Sequence, residues 1–286
     1  MIAVVLAAGY ATRLYPLTKD FPKPLLDVAG RSILDRILDN ALRITDLEQI
    51  VVVTNHRFVG HFEEWRARRE GEAADADTRS SAAERAPGGV RSAGEGDLFE
   101  PSITILDDGS TDNGNRIGAL GDLRLAVDWL TETQGELDQP VLVLAGDNLF
   151  DFNLFDFAEF ARRLGTDCIT THQLQDVEQL RRTGVVELAT DSRVLSFEEK
   201  PEEPKSSWAV PPLYIYRPDT LTEELPLFLD EGNNPDAPGS FVPWLIVRKA
   251  VYAYPFDGAR HDIGNRASYE AAQQLFAKRV GEPGLS

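Results

Sequence analysis

The chain opens on Ile2-Ala3-Val4-Val5-Leu6-Ala7, an apolar run without a single charge, and turns at once through Ala8-Gly9-Tyr10-Ala11. An uncharged run that ends in a small-residue turn reads as a strand buried on both faces, as in parallel sheets. The turn constrains more than the fold. Small residues let backbone N–H groups approach a phosphate chain closely. Two cations then follow at short range: Arg13, whose planar guanidinium suits two-pronged contact with phosphate, and Lys23, set between Pro22 and Pro24.

Short β-rich runs alternate with amphipathic helical stretches along the rest of the chain, the pattern of a layered α/β fold. Strands are expected at 2–7, 49–54, 102–106, 141–145, 167–172, 184–188, 194–197, 213–216 and 250–254. Helices are expected around 32–44, 59–69, 120–130, 154–164, 219–229 and 267–280. In the first helix Ile33, Ile37, Leu38, Ala41 and Leu42 share one face, with Ser32 placed to cap it. From Glu70 to Asp97 the chain is Ala, Glu, Asp, Ser, Arg and Gly with scarcely an apolar anchor, a composition that cannot repay its ordering entropy. It reads as a disordered acidic insertion in one domain that otherwise spans residues 1–286. No internal repeat is visible.

The 286 residues, 42% hydrophobic, suffice for one large α/β domain. No apolar run is long enough to span a membrane and no basic region precedes the first one, so Ile2–Ala7 is expected to be a core strand rather than a signal peptide. The single cysteine, Cys168, excludes an internal disulfide, suits the cytoplasm, and in its apolar run reads as a small core residue. A net charge of −18 argues against non-specific nucleic-acid binding. Lysine is confined to Lys19, Lys23, Lys200, Lys205, Lys249 and Lys278. An acidic, lysine-poor surface is expected of a protein adapted to high salt, where self-repulsion is screened. Against that background Lys23 and Lys200, each inside a motif, become candidates for a chemical task.

The segment Gly9-Tyr10-Ala11-Thr12-Arg13-Leu14-Tyr15-Pro16-Leu17-Thr18, followed by Pro22-Lys23-Pro24-Leu25-Leu26, resembles the first motif of the sugar-1-phosphate nucleotidylyltransferases, G-x-G-T-R-L-x-P-L-T and then P-K-P-L-L. Those enzymes join a nucleoside triphosphate to a sugar 1-phosphate and release pyrophosphate. The resemblance implies a Rossmann-like α/β fold with a mixed central sheet flanked by helices. Ala11 stands where the family's second glycine sits. The position requires either a positive φ, which would strain alanine, or only a small side chain.

Later segments match in the family's order. Val141–Ala145 ends in Gly146-Asp147, and strand ends of this kind face the ligand crevice in open α/β sheets. By itself Asp147 reads as a polar turn residue. The resemblance assigns it to Mg²⁺, together with Asp262 of Arg260-His261-Asp262-Ile263-Gly264, which matches the family's W-x-D-I-G. Two carboxylates suffice for Mg²⁺, which keeps waters and takes phosphate oxygens. His261 reads as a bland polar neighbour. Glu198-Glu199-Lys200-Pro201 matches E-E-K-P, which implies that Lys200 grips the sugar phosphate and Glu199 meets sugar hydroxyls. Gly184-Val185-Val186-Glu187 matches G-V-V-E, where the Gly184 backbone approaches the sugar. The resemblance also implies nucleotide contacts at Leu6, Ala8, Gly9, Gly118 and Asp147, and catalytic roles for Arg13 and Lys23. Two stretches depart from the pattern: the acidic loop 107–115 before Arg116-Ile117-Gly118, and Pro211-Pro212 in place of Thr-Gly.

The implied partners are a nucleoside triphosphate, with dTTP or UTP favoured, and a sugar 1-phosphate, with glucose 1-phosphate favoured; the cofactor is Mg²⁺. Neither a nucleic acid nor a membrane is implied, and the resemblance allows a homo-oligomer. Two other readings compete: a cytidylyltransferase for a polyol or choline phosphate, and a non-catalytic regulatory protein that binds nucleotide sugar. A dinucleotide-binding dehydrogenase needs G-x-G-x-x-G after the strand, which residues 9–14 fail.

Overall fold

The computed structural model describes residues 1–84 and 101–281. In chain order its first strands are β1 (Ile2–Leu6), β2 (Asp27–Val28), β3 (Arg31–Ser32), β4 (Gln49–Thr54), β5 (Ser102–Asp107), β6 (Val141–Ala145) and β7 (Asn148–Phe150). Then come β8 (Asp167–Gln173), β9 (Gly184–Leu188), β10 (Val194–Glu199), β11 (Trp208–Val210), β12 (Leu213–Tyr216), β13 (Val251–Pro255) and β14 (Arg260–Asp262). The helices are α1 (Ile33–Ala41), α2 (Val59–Glu84), α3 (Ala119–Gln134), α4 (Leu154–Leu164), α5 (Val177–Leu180), α6 (Leu225–Asp230), α7 (Phe241–Leu245) and α8 (Arg266–Gly281).

Ten of the strands form one mixed sheet in the order β10-β9-β11-β8-β12-β6-β1-β4-β5, with β13 added beside β8. Strand β1 lies between β4 and β6, parallel to both, with Val4 opposite Val51 and Val143. Its lack of charge follows from burial on both faces. Ala3 and Val5 join the core beneath α1 and α4, while Ile2 and Val4 join a second core beneath α3, α6 and α7. The same alternation runs through β4 and β6: Val52 and Leu144 point one way, Val51 and Val143 the other. Cys168 is fully buried in the first core, as its apolar setting implied. Burial pushes its thiol up to about 12.

Helix α1 begins where Ser32 accepts a hydrogen bond from the Asp35 N–H at 3.0 Å, and it buries Ile33, Leu34, Ile37, Leu38 and Ala41; Leu42 is half-buried. Helix α2 continues through Glu84, over the first part of the expected insertion. Alanine, glutamate and arginine favour the helix without any apolar stripe. Residues 85–97 of that insertion lie outside the described residues.

Pro211-Pro212 marks a fork in the sheet. Before it, β11 pairs with β8 and β9; after it, β12 pairs with β8 and β6. Proline lacks the N–H that a continuous ladder would need. Three buried threonine hydroxyls take up carbonyls around the fork: Thr171 donates to Ala209 (2.9 Å), Thr183 to Val210 (3.0 Å) and Thr170 to Leu213 (3.2 Å). The double proline therefore falls where the sheet divides into two arms. Small pairings that periodicity does not reveal complete the fold, chief among them β14 against β7, which sets Asp262 opposite Asn148.

Candidate active site

The turn after β1 is held from beneath. Asn55, fully buried, donates to the Ala8 carbonyl at 2.9 Å and accepts the Phe58 N–H at 3.1 Å. Thr18 donates to the Ala11 carbonyl at 2.8 Å. Ala11 has φ 46° and ψ 42°, so the position requires the left-handed region and not merely a small side chain. An alanine held there costs about 1 kcal/mol relative to its ordinary conformations. Gly9 is exposed, and a Cβ built on it meets nothing within 4 Å, so the turn opens onto free space. Arg13 stands on a short 3-10 turn at Thr12–Leu14, exposed, with no ion-pair partner among the described residues.

Three separate segments converge beside this turn. The Gly146 N–H donates to the Leu6 carbonyl at 2.9 Å, and a Cβ on Gly146 would press on that carbonyl and on Pro24 at 3.1 and 3.3 Å. Glycine is thus what lets the end of β6 cross the end of β1. The crossing brings Lys23 Nζ to 2.7 Å from Asp147 Oδ2. The Lys23 side chain is only 8% exposed, whereas that of Asp147 is 38% exposed, so the ammonium is buried and the carboxylate looks outward. Asn148 donates to the other Asp147 oxygen at 2.6 Å, and Arg260 Nε donates to Asn148 Oδ1 at 2.5 Å. Burial alone would raise the Asp147 carboxyl. The Lys23 ammonium, Arg260 and the Asn148 amide outweigh it and hold Asp147 below the usual carboxylate value.

Strand β14 supplies the remaining groups. Arg260 and Asp262 share one face, and Arg260 Nη2 lies 3.9 Å from Asp262 Oδ2, whose side chain is half exposed. His261, on the opposite face, packs edge-on against Phe276 with Nε2 3.5 Å from Asp151 Oδ2. The Ile263 N–H donates to the Asp147 carbonyl at 3.4 Å, tying the two acidic segments together. The oxygen donors of Asp147 and Asp262 suit a small hard dication that takes few protein carboxylates. No group of three or more His, Cys, Asp or Glu side chains able to hold a metal occurs among the described residues.

On the far arm, β9 and β10 pair Gly184 with Glu199. A Cβ on Gly184 would strike Cζ of the buried Phe197 ring and lie 3.0 Å from Cε2, so ring packing already requires glycine there. Glu199 Oε2 rests over Gly239, where a Cβ would overlap it. Lys200 has φ 48°, its N–H donates to the Thr183 carbonyl at 3.1 Å, and its exposed Nζ lies 3.5 Å from Glu199 Oε1. Glu198 and Lys205 pair with each other at the rim. His172 is buried, with Nδ1 unpaired, and burial followed by the nearby Arg260 charge lowers it to about 4. On the near arm Gly118 has φ 82°, and a Cβ there would lie 2.8 Å from the Pro235 carbonyl. Pro235 accepts the Leu120 N–H at 2.9 Å, and Arg116 pairs with Asp236 at 2.7 Å.

The structure thus gathers Leu6, Ala8, Gly9, Lys23, Asp147 and Asp262 around one crossing. Gly184, Glu199 and Lys200 stand on one arm and Gly118 at the start of α3, while Arg13 is exposed on its short turn. Sequence reasoning missed Asn55, Asn148, Gly239 and Arg260. For Arg260 a signal existed: it sits two residues before Asp262, hence on the same strand face. The others are placed by tertiary crossings that no spacing reveals.

The family model described as nucleotidyl transferase matches residues 2–279. The chain belongs to the nucleotidyl transferase family. Among sequence relatives of this nucleotidyl transferase, the glucose-1-phosphate adenylyltransferase of Rhodopirellula baltica is 27% identical over 295 residues, covering 96% of this chain and 60% of its own length. That of Thermomicrobium roseum is 28% identical over 297 residues, covering 99% and 60%. The chain therefore spans about three fifths of these relatives. Solved structures share the fold. A UDP-glucose pyrophosphorylase from Acinetobacter baumannii superposes with a TM-score of 0.71 at 18% identity, covering 100% of this chain and 96% of that one. A Bacillus anthracis protein assigned as a glucose-1-phosphate thymidylyltransferase gives 0.70 at 22%, covering 97% and 96%.

Proposed function

We propose that this nucleotidyl transferase moves a nucleotidyl group from a nucleoside triphosphate to a sugar 1-phosphate and releases pyrophosphate. The observation that carries the reading is the buried Lys23 ammonium, 2.7 Å from a carboxylate that still faces the cleft, beside a turn open above Gly9. A buried lysine paired with a carboxylate at that crossing serves phosphate chemistry, which depends mainly on positioning and charge neutralisation. An oxygen of the sugar phosphate attacks the α-phosphorus in line, and the bond to pyrophosphate breaks as the new P–O bond forms. No covalent enzyme intermediate is needed.

Leu6, Ala8 and Gly9 line the nucleotide's approach with backbone, and Gly118 lines the nucleoside end. Exposed Arg13 meets the departing pyrophosphate, and Lys23 braces the phosphates near the reacting centre. Lys200 orients the attacking phosphate, Glu199 accepts from sugar hydroxyls, and Gly184 keeps the backbone of that wall close. Asp147 and Asp262 would hold a magnesium ion, which when bound neutralises phosphate charge. Arg260 and Asn148 keep Asp147 ionised and oriented for that purpose. The acceptor is glucose 1-phosphate, which the names of the relatives support. The family resemblance as a whole favours dTTP or UTP as the donor, while the names of the sequence relatives favour ATP, so all three belong in the assay. The single buried cysteine and the absence, among the described residues, of any helix long and apolar enough to cross a membrane are compatible with a cytoplasmic setting.

The test is turnover of Lys23→Ala and Asp147→Asn, each checked for an intact fold by circular dichroism. Losing an electrostatic stabiliser of this kind costs on the order of 10²-fold or more in rate. Near-wild-type turnover in either folded variant would remove the proposal.

A further inference from the structure

Arg260 stands at the first position of the segment that matches W-x-D-I-G, so it puts a charge where the pattern has a neutral ring. Its side chain is only 20% exposed. Burying a cation is costly unless hydrogen bonds offset the lost water. One of its three nitrogens is paired in this way. Nε donates to Asn148 Oδ1 at 2.5 Å, and the Asn148 amide donates in turn to Asp147 Oδ1 at 2.6 Å. Nη2 lies 3.9 Å from Asp262 Oδ2, within reach of attraction but too far for a hydrogen bond. Neither Nη group donates to an acceptor among the described residues, and neither belongs to the fully enclosed unpaired atoms. The guanidinium fork thus keeps its Nη donors free and in reach of solvent, beside Asp147 and Asp262, which are themselves 38% and 52% exposed. The bond at Nε fixes the plane of this flat, rigid group. Asp147 then has a cation behind each oxygen, Lys23 directly at Oδ2 and Arg260 through Asn148 at Oδ1. Holding Asn148 needs only a neutral donor, so that task leaves the charge and the open fork without a purpose. A planar fork with two unfilled prongs matches two oxygens of one phosphate.

We propose that Arg260 is a further catalytic residue: its Nη groups donate to the non-bridging oxygens of the α-phosphate, on the Asn148 side of Asp147, with Lys23 on the other. The inference rests on the nucleotidyl-transfer reading of this site. In that step the sugar-phosphate oxygen bonds to the α-phosphorus, the bond from that phosphorus to the β-phosphate oxygen breaks, and its electron pair leaves with pyrophosphate. Arg260 keeps all its protons throughout. Its hydrogen bonds hold the charge on the two oxygens that stay attached while the phosphorus passes through five-coordination. Contacts of this kind are stronger in the transition state than in the bound substrate, and so they raise kcat more than they lower KM. The charges also balance: Lys23 and Arg260 offset Asp147 and Asp262, so the carboxylates do not repel an incoming polyanion.

The experiment compares wild type with Arg260→Gln and Arg260→Lys, each checked for an intact fold by thermal melting. Pyrophosphate release is measured with glucose 1-phosphate and with ATP, UTP and dTTP, then with both α-phosphorothioate diastereomers of each triphosphate. Sulfur in place of one non-bridging oxygen is a poor hydrogen-bond acceptor, so it reports on contacts to that oxygen. With the natural triphosphate, Arg260→Gln should lose about 10²-fold in kcat while KM for the triphosphate changes by less than about 3-fold. Each sulfur substitution should cost wild type about 10-fold more than it costs Arg260→Gln, which has no such contact left to lose. Arg260→Lys keeps the charge but not the fork, so it should keep the penalty for one diastereomer and lose it for the other. A kcat within about 3-fold of wild type in Arg260→Gln would overturn the inference. So would a slow Arg260→Gln that keeps both wild-type sulfur penalties, since Arg260 would then act only through Asn148. Should the glutamine variant not fold, Arg260→Lys decides, and wild-type penalties for both diastereomers overturn the inference. Silence in wild type with every triphosphate defeats the transfer reading and this inference with it, whereas an active wild type with unaltered penalties in the variants defeats the inference alone.

Discussion

A methyl group placed on Gly239 falls well inside 3.0 Å of Glu199 Oε2 and 3.1 Å from Cζ of Phe197. Gly239 is not among the glycines with positive φ, so alanine fits its backbone and the perturbation is steric alone. Phe197 is 7% exposed and wedged against Gly184, so the ring has little room to yield. The carboxylate, at the end of a flexible chain and only partly buried, gives way instead, by about 1 Å to reach ordinary contact. Swinging one side-chain torsion costs about 1 kcal/mol or less. A displacement of about 1 Å in a substrate-positioning group costs up to about 10²-fold in rate. Gly239→Ala should therefore melt close to wild type yet raise KM for the sugar phosphate about 10-fold or more, with KM for the triphosphate unchanged. Steady-state kinetics with each substrate varied in turn, beside thermal melts, make the test. An unaltered sugar-phosphate KM in a variant with wild-type melting would refute the placement of Glu199 against the sugar.

Removing either partner of the Lys23–Asp147 pair should not be symmetrical for stability. Asp147→Asn strands a buried ammonium and should cost about 3 kcal/mol, whereas Lys23→Ala leaves a carboxylate already in reach of water and should cost less; denaturant midpoints decide. Ala11→Gly should stabilise the fold by up to about 1 kcal/mol by relieving the left-handed alanine, and a clear loss of stability would contradict the strain. Stability should fall as pH rises from about 4 to about 8, because native Asp122 keeps a proton that its ordinary value of 3.8 would release on unfolding. The slope for this one group is at most about 1.4 kcal/mol per pH unit, and melts of Asp122→Asn at pH 5, 7 and 9 should lack it. The −18 charge predicts that activity and melting temperature rise from dilute buffer to molar KCl; full stability in dilute buffer would contradict salt adaptation.

What the sequence made legible was set by local rules. The uncharged run at β1, the glycine turn after it and the alternating residues of β4 and β6 each announce themselves, because burial on two faces leaves no position for a polar residue. Lys23 and Asp147 were legible as separate motifs, but their 2.7 Å contact was not, since it depends on Gly146 letting one strand end cross another. Ala11 illustrates the limit at a single residue: composition admitted two explanations, and only its φ of 46° chose between them. Pro211-Pro212 is legible as a departure from the family pattern, but its place at the fork of the sheet is a property of pairing with β6, β8 and β9. The short strands β7 and β14 have no periodicity to read, yet their pairing is what sets Asp262 beside Asn148.

The most direct test of the central claim is pyrophosphate release from ATP, UTP, dTTP, CTP and GTP, each paired with glucose 1-phosphate and other sugar 1-phosphates, with Mg²⁺ in high KCl. The account predicts release that requires one triphosphate and one sugar phosphate together, yields the matching nucleotide sugar by mass, and vanishes in Lys23→Ala. Silence across the whole matrix, from a folded protein that still shows a melting shift with nucleotide sugar, would contradict it and leave a binding protein in place of an enzyme.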